Sequence, residues 1–370
     1  CDILKASLLW RRVIKATLVP MKRSTGTYVT TSIVGESVQA FVPDALPPAN
    51  PALALEAFAD LNRAAELALA RLSGVAGLAP SVDWLLYSAI RKEALLTSQI
   101  EGTQASLTDL FDSEAGSIVR NADDVEEVTN YLRAFRLVQD NLRAPDGLPL
   151  SLRLICDAHR QLMDGVRGGS KQPGEIRRSQ NWIGGSRPGN ANFVPPPPNK
   201  VGDLLADLER FIHDERSPLP PLVKIALVHA QFETIHPFLD GNGRMGRLLI
   251  AALLEHWNLL PEPLMYLSGY LKANQMTYYR RLSDIRTDGD WESWIRFFLE
   301  GVAEAASDAE KNVLGLASLV AADRQRVLAL PKLGAITMRL FEQLPVMPRF
   351  TVEHVRQRFE TTFPTANAAI

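Results

Sequence analysis

Twelve consecutive residues, HPFLDGNGRMGR at positions 236–247, combine side chains suited to chemistry on a phosphate group. His236 is predicted to lie at a helix exit, because Pro237 disfavours helical geometry in the residue before it. The glycine-rich loop that follows, residues 241–243, precedes a strongly helical stretch. Backbone N–H groups and a helix N-terminus are therefore expected to point at one place, an arrangement that binds anions.

Charged side chains complete the predicted site. Arg244 and Arg247 are three residues apart and hence on one helical face, and guanidinium groups suit phosphate oxygens. Asp240 would repel phosphates unless a cation lay between them, so we predict that it binds Mg²⁺, which proteins usually hold with one or two carboxylates plus substrate phosphates. His236 then remains as a general base for an incoming hydroxyl, since its ordinary pKa suits that role at neutral pH.

A P-loop or a zinc site would fit these residues less well. The P-loop pattern GxxxxGK[ST] is not matched, because no Lys follows the glycines. A zinc site is disfavoured, since the sequence lacks HExxH and His236 with Asp240 supplies two ligands only. A lone His before Pro is more commonly a capping or core residue, and a lone GNG a simple turn. Their combination in this order favours a polyphosphate site.

The twelve residues resemble the signature of the Fic family, HPFx(D/E)GNGRxxR, at every defining position. Family members of this type transfer AMP from ATP to a Ser, Thr or Tyr hydroxyl of a protein. The resemblance implies that His236 is the catalytic base and Asp240 the Mg²⁺ ligand, with ATP as co-substrate. It also implies nucleotide contacts from Gly241, Asn242, Gly243, Arg244, Met245, Gly246 and Arg247.

A second segment, TSQIEG at residues 97–102, resembles the inhibitory helix motif of the same family, (S/T)xxxE(G/N). This resemblance implies that Glu101 pairs with Arg247, the arginine otherwise expected to hold the γ-phosphate, and so blocks productive binding of ATP. Thr97 and Gly102 are the other inhibitory positions. The inhibition would be intramolecular, because both motifs lie in one chain. Taken alone, Glu101 would be interpreted as a solvated carboxylate at a helix end.

Residues 168–199 are rich in Gly and Pro with short apolar runs, which excludes a long helix and predicts a β-hairpin or flap. The region resembles the family's flap, which docks a target segment by strand addition, and Ile183 is the candidate docking residue. An ordinary surface hairpin is the alternative. Tyr279 follows the catalytic motif at a distance that suits an adenine pocket, and Trp291 is a weaker candidate, although aromatic residues at helical spacing are usually core.

Most of the remaining chain has helical periodicity, with apolar residues at three- and four-residue spacing. We therefore predict an all-α body, and the resemblance implies the helical bundle of the Fic fold with a short β-hairpin flap. A small C-terminal unit has winged-helix-like texture. The predicted divisions are an N-terminal extension at 1–40, a helical region with the inhibitory motif at 41–150, the catalytic core at 151–330 and a partial winged-helix-like unit at 331–370.

Composition sets few further limits. The 370 residues carry a formal net charge of −2, with 46% hydrophobic and 22% charged residues, which is ordinary for a globular protein. Cys1 and Cys156 indicate neither a disulfide framework nor a CxxC metal site, which favours the cytoplasm. No apolar run approaches the roughly 20 residues that span a membrane. Met21 is the expected natural start, so residues 1–20 are expected to carry no function.

Three functions are compatible with the sequence. The first is a cytoplasmic, Mg²⁺-dependent protein adenylyltransferase that Glu101 restrains, that modifies a target protein and itself, and for which a homodimer is one option. The second removes AMP at the same site, with Glu101 orienting a water. The third is a nucleotide-sensing DNA-binding regulator that uses the C-terminal unit, although acidic residues there offset the basic ones. The residues concerned are Arg349, Arg356 and Arg358 against Glu353 and Glu360.

Overall fold

Helices make up most of the molecule, and the all-α prediction is confirmed. The computed structural model of the chain describes residues 23–77, 81–166, 168–331 and 333–370, and the segment 1–20 lies outside them. Within these ranges the chain forms fourteen α-helices and one two-stranded antiparallel sheet. None of the helices in these ranges combines the length and hydropathy needed to cross a membrane.

The sheet and five helices form the N-terminal part of the described chain. These elements are β1 (Gly26–Ile33), β2 (Glu36–Pro43), α1 (Ala59–Ala76), α2 (Val82–Ile100), α3 (Leu107–Glu114), α4 (Ala122–Arg143) and α5 (Leu152–Leu162). The two strands pair from Gly26 with Pro43 to Ile33 with Glu36, and a tight turn joins them.

Nine helices follow an irregular region. They are α6 (Pro198–Ile212), α7 (Pro221–Ile235), α8 (Asn242–His256), α9 (Leu267–Ala273), α10 (Gln275–Asp288), α11 (Trp291–Leu328), α12 (Ala335–Gln343), α13 (Val352–Arg358) and α14 (Phe363–Ala369). The predicted catalytic motif starts where α7 ends and continues into α8.

Helix α7 forms the centre of the core because it is apolar on nearly every face. Thirteen of its fifteen residues are buried, and α6, α8 and α11 pack against it. Trp294 of α11 is fully buried and donates from its ring N–H to the backbone oxygen of Ala226, 2.8 Å away. The core thus fixes the helix whose C-terminal end carries His236.

The predicted hairpin is present, but at residues 26–43 rather than at 168–199. Residues 168–199 form an irregular loop with one antiparallel bridge, between Ile183 and Phe193. Proline explains the difference, because the four prolines at 195–198 lack the N–H groups that a strand ladder needs. The signal for β2 is the apolar alternation of ESVQAFVP, which crosses the predicted boundary between 1–40 and 41–150.

The hairpin packs on the loop that contains this bridge, residues 182–194, which we call the flap. The backbone N–H of Phe41 in β2 donates to the Val194 oxygen at 2.9 Å. Val38 and Ala40 of the same strand form a small apolar cluster with Val194. The hairpin therefore holds one side of the flap.

Residues 333–370 form a separate small group of helices, α12 to α14. Its buried core consists of Leu340, Val355, Phe359 and Ala366. The described residues of this group contain no strand pair, and Arg356 lies 2.6 Å from Glu353. A winged-helix architecture and DNA binding stay predictions.

Replacing Trp294 with Ala is expected to lower the free energy of unfolding by about 3–5 kcal/mol, the usual cost of emptying a buried aromatic site. Urea-induced unfolding followed by circular dichroism measures the loss. The matched control is Leu319→Ala on the same helix, because Leu319 is 56% exposed, and it should change stability by less than about 0.5 kcal/mol. Equal losses in both variants would contradict the central role of Trp294 in the core.

Candidate active site

His236 ends α7 in a backbone conformation that non-glycine residues rarely adopt. Its φ and ψ are 49° and 63°, in the left-handed region, and its N–H donates to the Phe232 oxygen at 2.9 Å. Strain of this kind costs roughly 1–3 kcal/mol and is found mainly at functional sites. The chain thus leaves the helix at the residue that the sequence predicts as the base.

The buried side chain of Arg177 holds this turn. Its Nε donates to the His236 oxygen at 2.8 Å and its Nη2 to the Pro196 oxygen at 2.6 Å, while its backbone N–H donates to the Pro237 oxygen at 2.9 Å. Burial lowers the pKa of this guanidinium to about 10. Sequence analysis missed Arg177, because no local pattern distinguishes it from its neighbour Arg178. Its contacts tie the turn at His236 to the segment that follows the flap.

The His236 ring is neutral at physiological pH. Burial, together with the positive charge of Arg177 and, more weakly, that of Arg286, lowers its pKa to about 4. A neutral imidazole can accept a proton, whereas an imidazolium cannot. The ring is therefore in the form that a general base requires.

The side chain of Asn242 fixes the loop after His236. Its Oδ1 accepts from the Phe238 N–H and its Nδ2 donates to the Phe238 oxygen, both at 2.8 Å. Gly241 precedes α8 with a φ of 76°, a conformation that favours glycine. Because α8 begins at Asn242, its first N–H groups belong to residues predicted to bind phosphate. The side-chain amide of Asn242 itself hydrogen-bonds to the backbone of the loop.

His159 supports the same loop from α5. Its Nδ1 accepts from the Gly174 N–H at 2.8 Å, so we assign the ring proton to Nε2, which donates to the Asp240 oxygen at 3.0 Å. The ring also stacks on Phe238, with ring centres 3.7 Å apart. Sequence analysis missed this histidine as well.

The carboxylate of Glu101, at the end of α2, lies against the N-terminal turn of α8. Its Oε1 accepts from Nη2 of Arg247 at 2.6 Å. The same oxygen lies so close to Gly243 that a Cβ atom on that residue would overlap it. One turn earlier, the hydroxyl of Thr97 accepts from Nε of Arg247 at 2.6 Å. Gly102, with a φ of 98°, turns the chain immediately after Glu101.

The Arg247 guanidinium is buried and depends on this counter-charge. Its side chain is 1% exposed, whereas that of Glu101 is 35% exposed. Burial by itself lowers the pKa of Arg247, but nearby acidic groups, Glu101 foremost, outweigh burial and raise it. Glu233, one turn before His236, is also buried, which raises its pKa to about 7. Glu101 is therefore the principal counter-charge of Arg247.

The other predicted phosphate contacts of α8 face the protein interior. Arg244 pairs with Glu127 of α4, with Nη1 3.4 Å from Oε2 and both side chains buried. Met245 is a core residue, and Gly246 lies against a buried carboxylate of α7 that a Cβ atom would overlap. Arg244 and Arg247, predicted to share one face, thus have separate carboxylate partners on α4 and at the end of α2.

Asp240 carries a partly exposed carboxylate. Its Oδ1 accepts from the Gly241 N–H at 2.7 Å, and its Oδ2 lies 3.0 Å from Nζ of Lys171. Burial by itself raises the pKa of Asp240, but these two donors outweigh burial and hold it below its usual value. Among the described residues, no three His, Cys, Asp or Glu side chains cluster as a metal site. One ionised, accessible carboxylate still fits Mg²⁺ whose other ligands are phosphates and waters.

The remaining predicted residues lie around this centre. Ile183 is partly exposed and forms the flap bridge. Tyr279 of α10 is 45% exposed, and burial raises its pKa, with the Glu101–Arg247 pair close enough to affect it. Trp291 is buried in the core, as aromatic residues at helical spacing usually are.

Two family models match the chain. The model of the Fic/DOC family matches residues 149–254, and that of the Fic/DOC family N-terminal region matches residues 59–140, so together they cover about half of the chain. Protein adenylyltransferase Fic of Drosophila erecta is 28% identical over 208 residues, 54% of this chain and 38% of that protein. The Drosophila grimshawi protein of the same name is 28% identical over 185 residues, 49% of this chain and 34% of that protein. The matches therefore span well under half the length of these relatives.

Solved structures share the fold. A Fic family protein from Desulfovibrio desulfuricans is 21% identical, with a TM-score of 0.54, over 82% of this chain and 86% of that one. Fic-1 from C. elegans, residues 134–508, is also 21% identical, with a TM-score of 0.54, over 70% of this chain and 74% of that one. At this identity the likeness supports the fold alone.

The buried His229 of α7 makes stability depend on pH. It contacts the Gly246 oxygen at 3.0 Å and the Tyr278 hydroxyl at 2.8 Å, and burial lowers its pKa to about 3. In the unfolded chain the pKa returns to about 6.5, so the unfolded state binds the additional proton first as the pH falls.

The contribution of His229 to the free energy of unfolding is therefore expected to be complete above about pH 6.5 and to decrease as the pH falls toward 3. The variant His229→Gln should reduce the slope of stability against pH by about 1.4 kcal/mol per pH unit below pH 6. Urea unfolding of both proteins at several pH values measures the slopes. Identical slopes would show that His229 titrates in the folded chain as it does in the unfolded one.

Proposed function

Because the chain belongs to the Fic/DOC family, we propose that it transfers AMP from ATP to a Ser, Thr or Tyr hydroxyl of a protein, itself included, under restraint by Glu101. The names of the Drosophila relatives support this reaction class. The observation that carries the proposal is the contact of the Glu101 carboxylate with Arg247 and Gly243, where α8 begins. A carboxylate held there occupies a place suited to an anion.

His236 serves as the base in this reaction. The acceptor hydroxyl gives its proton to the neutral ring as its oxygen attacks the α-phosphorus of ATP. The new oxygen–phosphorus bond forms while the bond to the bridging oxygen breaks, and pyrophosphate leaves with that electron pair. A positioned base typically increases the reaction rate by about 10²–10⁴-fold. Arg177 supports this step by holding the backbone of His236.

The N-terminus of α8 receives the phosphates. Free N–H groups and the helix dipole favour negative charge there, and Arg247 adds its guanidinium once Glu101 has moved away. Asp240 would hold Mg²⁺, which neutralises charge on the phosphates. Asn242 and His159 keep the loop in place, so the site needs little rearrangement when ATP binds.

Glu101 restrains the reaction because it competes with a phosphate for the same positive groups. While its carboxylate lies 2.6 Å from Arg247, a phosphate would meet both an occupied guanidinium and a like charge. Its side chain is partly exposed and follows the last turn of α2, so it can move away while the helix stays intact.

In this proposal the flap binds the target protein. β2 holds the Val194 side through Phe41, and Ile183 lies on the opposite strand of the bridge. An extended target segment that pairs beside Ile183 gains backbone hydrogen bonds and a fixed register. Such a register would bring one hydroxyl to His236.

Glu101→Gly is expected to increase transfer of label from α-phosphate-labelled ATP to protein, the chain itself included, by about tenfold or more. Without Glu101, Arg247 is available to a phosphate of ATP. A hydrogen bond to a charged group contributes roughly 1.5–3 kcal/mol to binding. Adding His236→Ala should then lower labelling by about 10²–10⁴-fold. Gel autoradiography with Mg²⁺ and a lysate as target source measures both.

The matched control is Glu126→Gln, which removes a carboxylate from an exposed pair with Arg133 on α4 and should label as the original chain does. If Glu101→Gly folds and labels no more strongly than the original chain, Glu101 is not a restraint. If no variant labels itself or a lysate protein, the transferase proposal fails.

Removal of AMP is the second candidate. The partial exposure of the Glu101 carboxylate beside α8 would let it orient a water toward a modified target. Release of AMP from a pre-modified protein by the original chain, lost in Glu101→Gly, would favour removal over transfer.

Asp240→Asn, made in the Glu101→Gly chain, is expected to raise the Mg²⁺ concentration for half-maximal transfer by about tenfold or more, since losing even a residue that supports a metal ligand typically costs 10–100-fold in affinity and Asp240 would be a ligand itself. Lys171→Met is the matched opposite, because it frees Oδ2 of Asp240 and should lower the Mg²⁺ requirement. Titration of MgCl₂ at fixed ATP compares the three proteins. Superimposable Mg²⁺ curves would contradict the assignment of Asp240.

A further inference from the structure

Arg286, near the C-terminal end of α10, lies against the flap. Its guanidinium carbon is 4.0 Å from the centre of the Phe193 ring. Phe193 in turn contacts Phe41 of β2, with ring centres 6.5 Å apart, and Phe41 contacts Tyr28 of β1 at 5.1 Å. Arg286 therefore borders the wall formed by the flap and the N-terminal hairpin.

The guanidinium of Arg286 has no hydrogen bond or ion pair with any of the described residues, and the titratable groups that interact with its charge are Tyr28, Glu233 and His236. Burial lowers its pKa to about 10, so it stays charged at neutral pH. Arg177 makes the contrast clear, because it is also desolvated but donates to several carbonyl oxygens. The Arg286 side chain is partly exposed, so its free N–H donors can bind an acceptor that a ligand supplies.

Arg286 also lies near the catalytic base. After burial and Arg177, its charge is a further factor that lowers the pKa of His236. It acts in the same way on Glu233, one turn earlier on α7. Arg286 thus contacts the flap and is close enough to the end of α7 for its charge to act on His236 and Glu233.

We propose that Arg286 binds the carboxylate of an Asp or Glu that flanks the acceptor hydroxyl in the target segment, and so selects acidic acceptor sites. A segment docked along the flap, with its hydroxyl at His236, brings neighbouring side chains past the face of Phe193 where the guanidinium lies. The planar fork of an arginine stacked on an aromatic ring keeps its edge donors available for a carboxylate.

The location favours the target over the nucleotide as the source of this anion. The phosphates have their own donors at the N-terminus of α8 and in Arg247, which lies beside α2. Arg286 instead contacts the flap and is affected by Tyr28 of the hairpin. Arg286 is therefore a specificity residue of the target side.

This inference rests on the proposed transfer reaction, so binding is measured separately from catalysis. The probes are short fluorescein-labelled peptides with one Thr, flanked on either side by Asp or Glu, and matched peptides with Asn or Gln instead. In the full chain carrying Glu101→Gly, anisotropy should show acidic peptides binding about tenfold or more tightly than neutral ones. Arg286→Gln should remove this preference, and Arg286→Lys should reduce it, because Lys lacks the fork.

Charge reversal separates recognition from a purely structural role of Arg286. Arg286→Glu should favour peptides with Lys beside the Thr, which a general loss of packing would not produce. The affinity for ATP should stay the same in every Arg286 variant, and a loss of ATP affinity would assign the guanidinium to the phosphates instead. Acidic peptides that bind no better than neutral ones, or not at all, would overturn the inference.

The transfer reaction is tested on the same peptides with α-phosphate-labelled ATP. Acid preference in binding without any transfer would refute the transferase function and leave the role of Arg286 standing. Transfer without acid preference would support the transferase function and refute the proposed role of Arg286. In a successful outcome the Arg286 variants raise the KM for acidic peptides and leave kcat nearly unchanged.

Discussion

The buried charge of Arg247 is the constraint on which the rest of the site depends. A guanidinium that is 1% exposed needs an anion within reach, because an uncompensated buried charge is strongly destabilising. In this structure the anion is the carboxylate of Glu101, with the hydroxyl of Thr97 beside it. Anything that takes the place of Glu101 must bring its own negative charge, and a phosphate of ATP would meet that requirement in the proposed reaction.

The residues on the α7 and α8 side of that charge are held firmly in place, whereas the Glu101 side is held only weakly. His236 stands in a strained left-handed conformation at the end of the most buried helix, where Arg177 holds its backbone. The loop to α8 is closed by the Asn242 amide and by His159. Glu101, by contrast, is attached through a single partly exposed side chain at a helix end. The site is thus preformed except for the group that occupies it.

Sequence reasoning worked where the determinants are local. Pro237 sufficed to place His236 at a helix exit, and the glycines sufficed to place a helix start after it. The pairing of Glu101 with Arg247 came from family resemblance, since 146 residues separate the two. Arg177 and His159 were missed because their roles arise from contacts across 59 and 81 residues. The hairpin was assigned to the wrong segment because Gly and Pro in the flap region resemble turn signals, while the alternation in β2 was treated as part of an extension.

The absence of a side chain at Gly243 limits the positions at which mutations can relieve the proposed restraint. A methyl group there would overlap the Glu101 oxygen, and in the proposed reaction it would also reach the place of a phosphate. Mutations that release the enzyme by expelling the carboxylate from the α8 side would therefore destroy the cradle in the same step. Gain-of-function alleles should arise at positions 97–102, at the end of α2, whereas alleles between 241 and 247 should be null or neutral. Under the proposed restraint, changes at the end of α2 therefore alter its strength, whereas the start of α8 tolerates few changes.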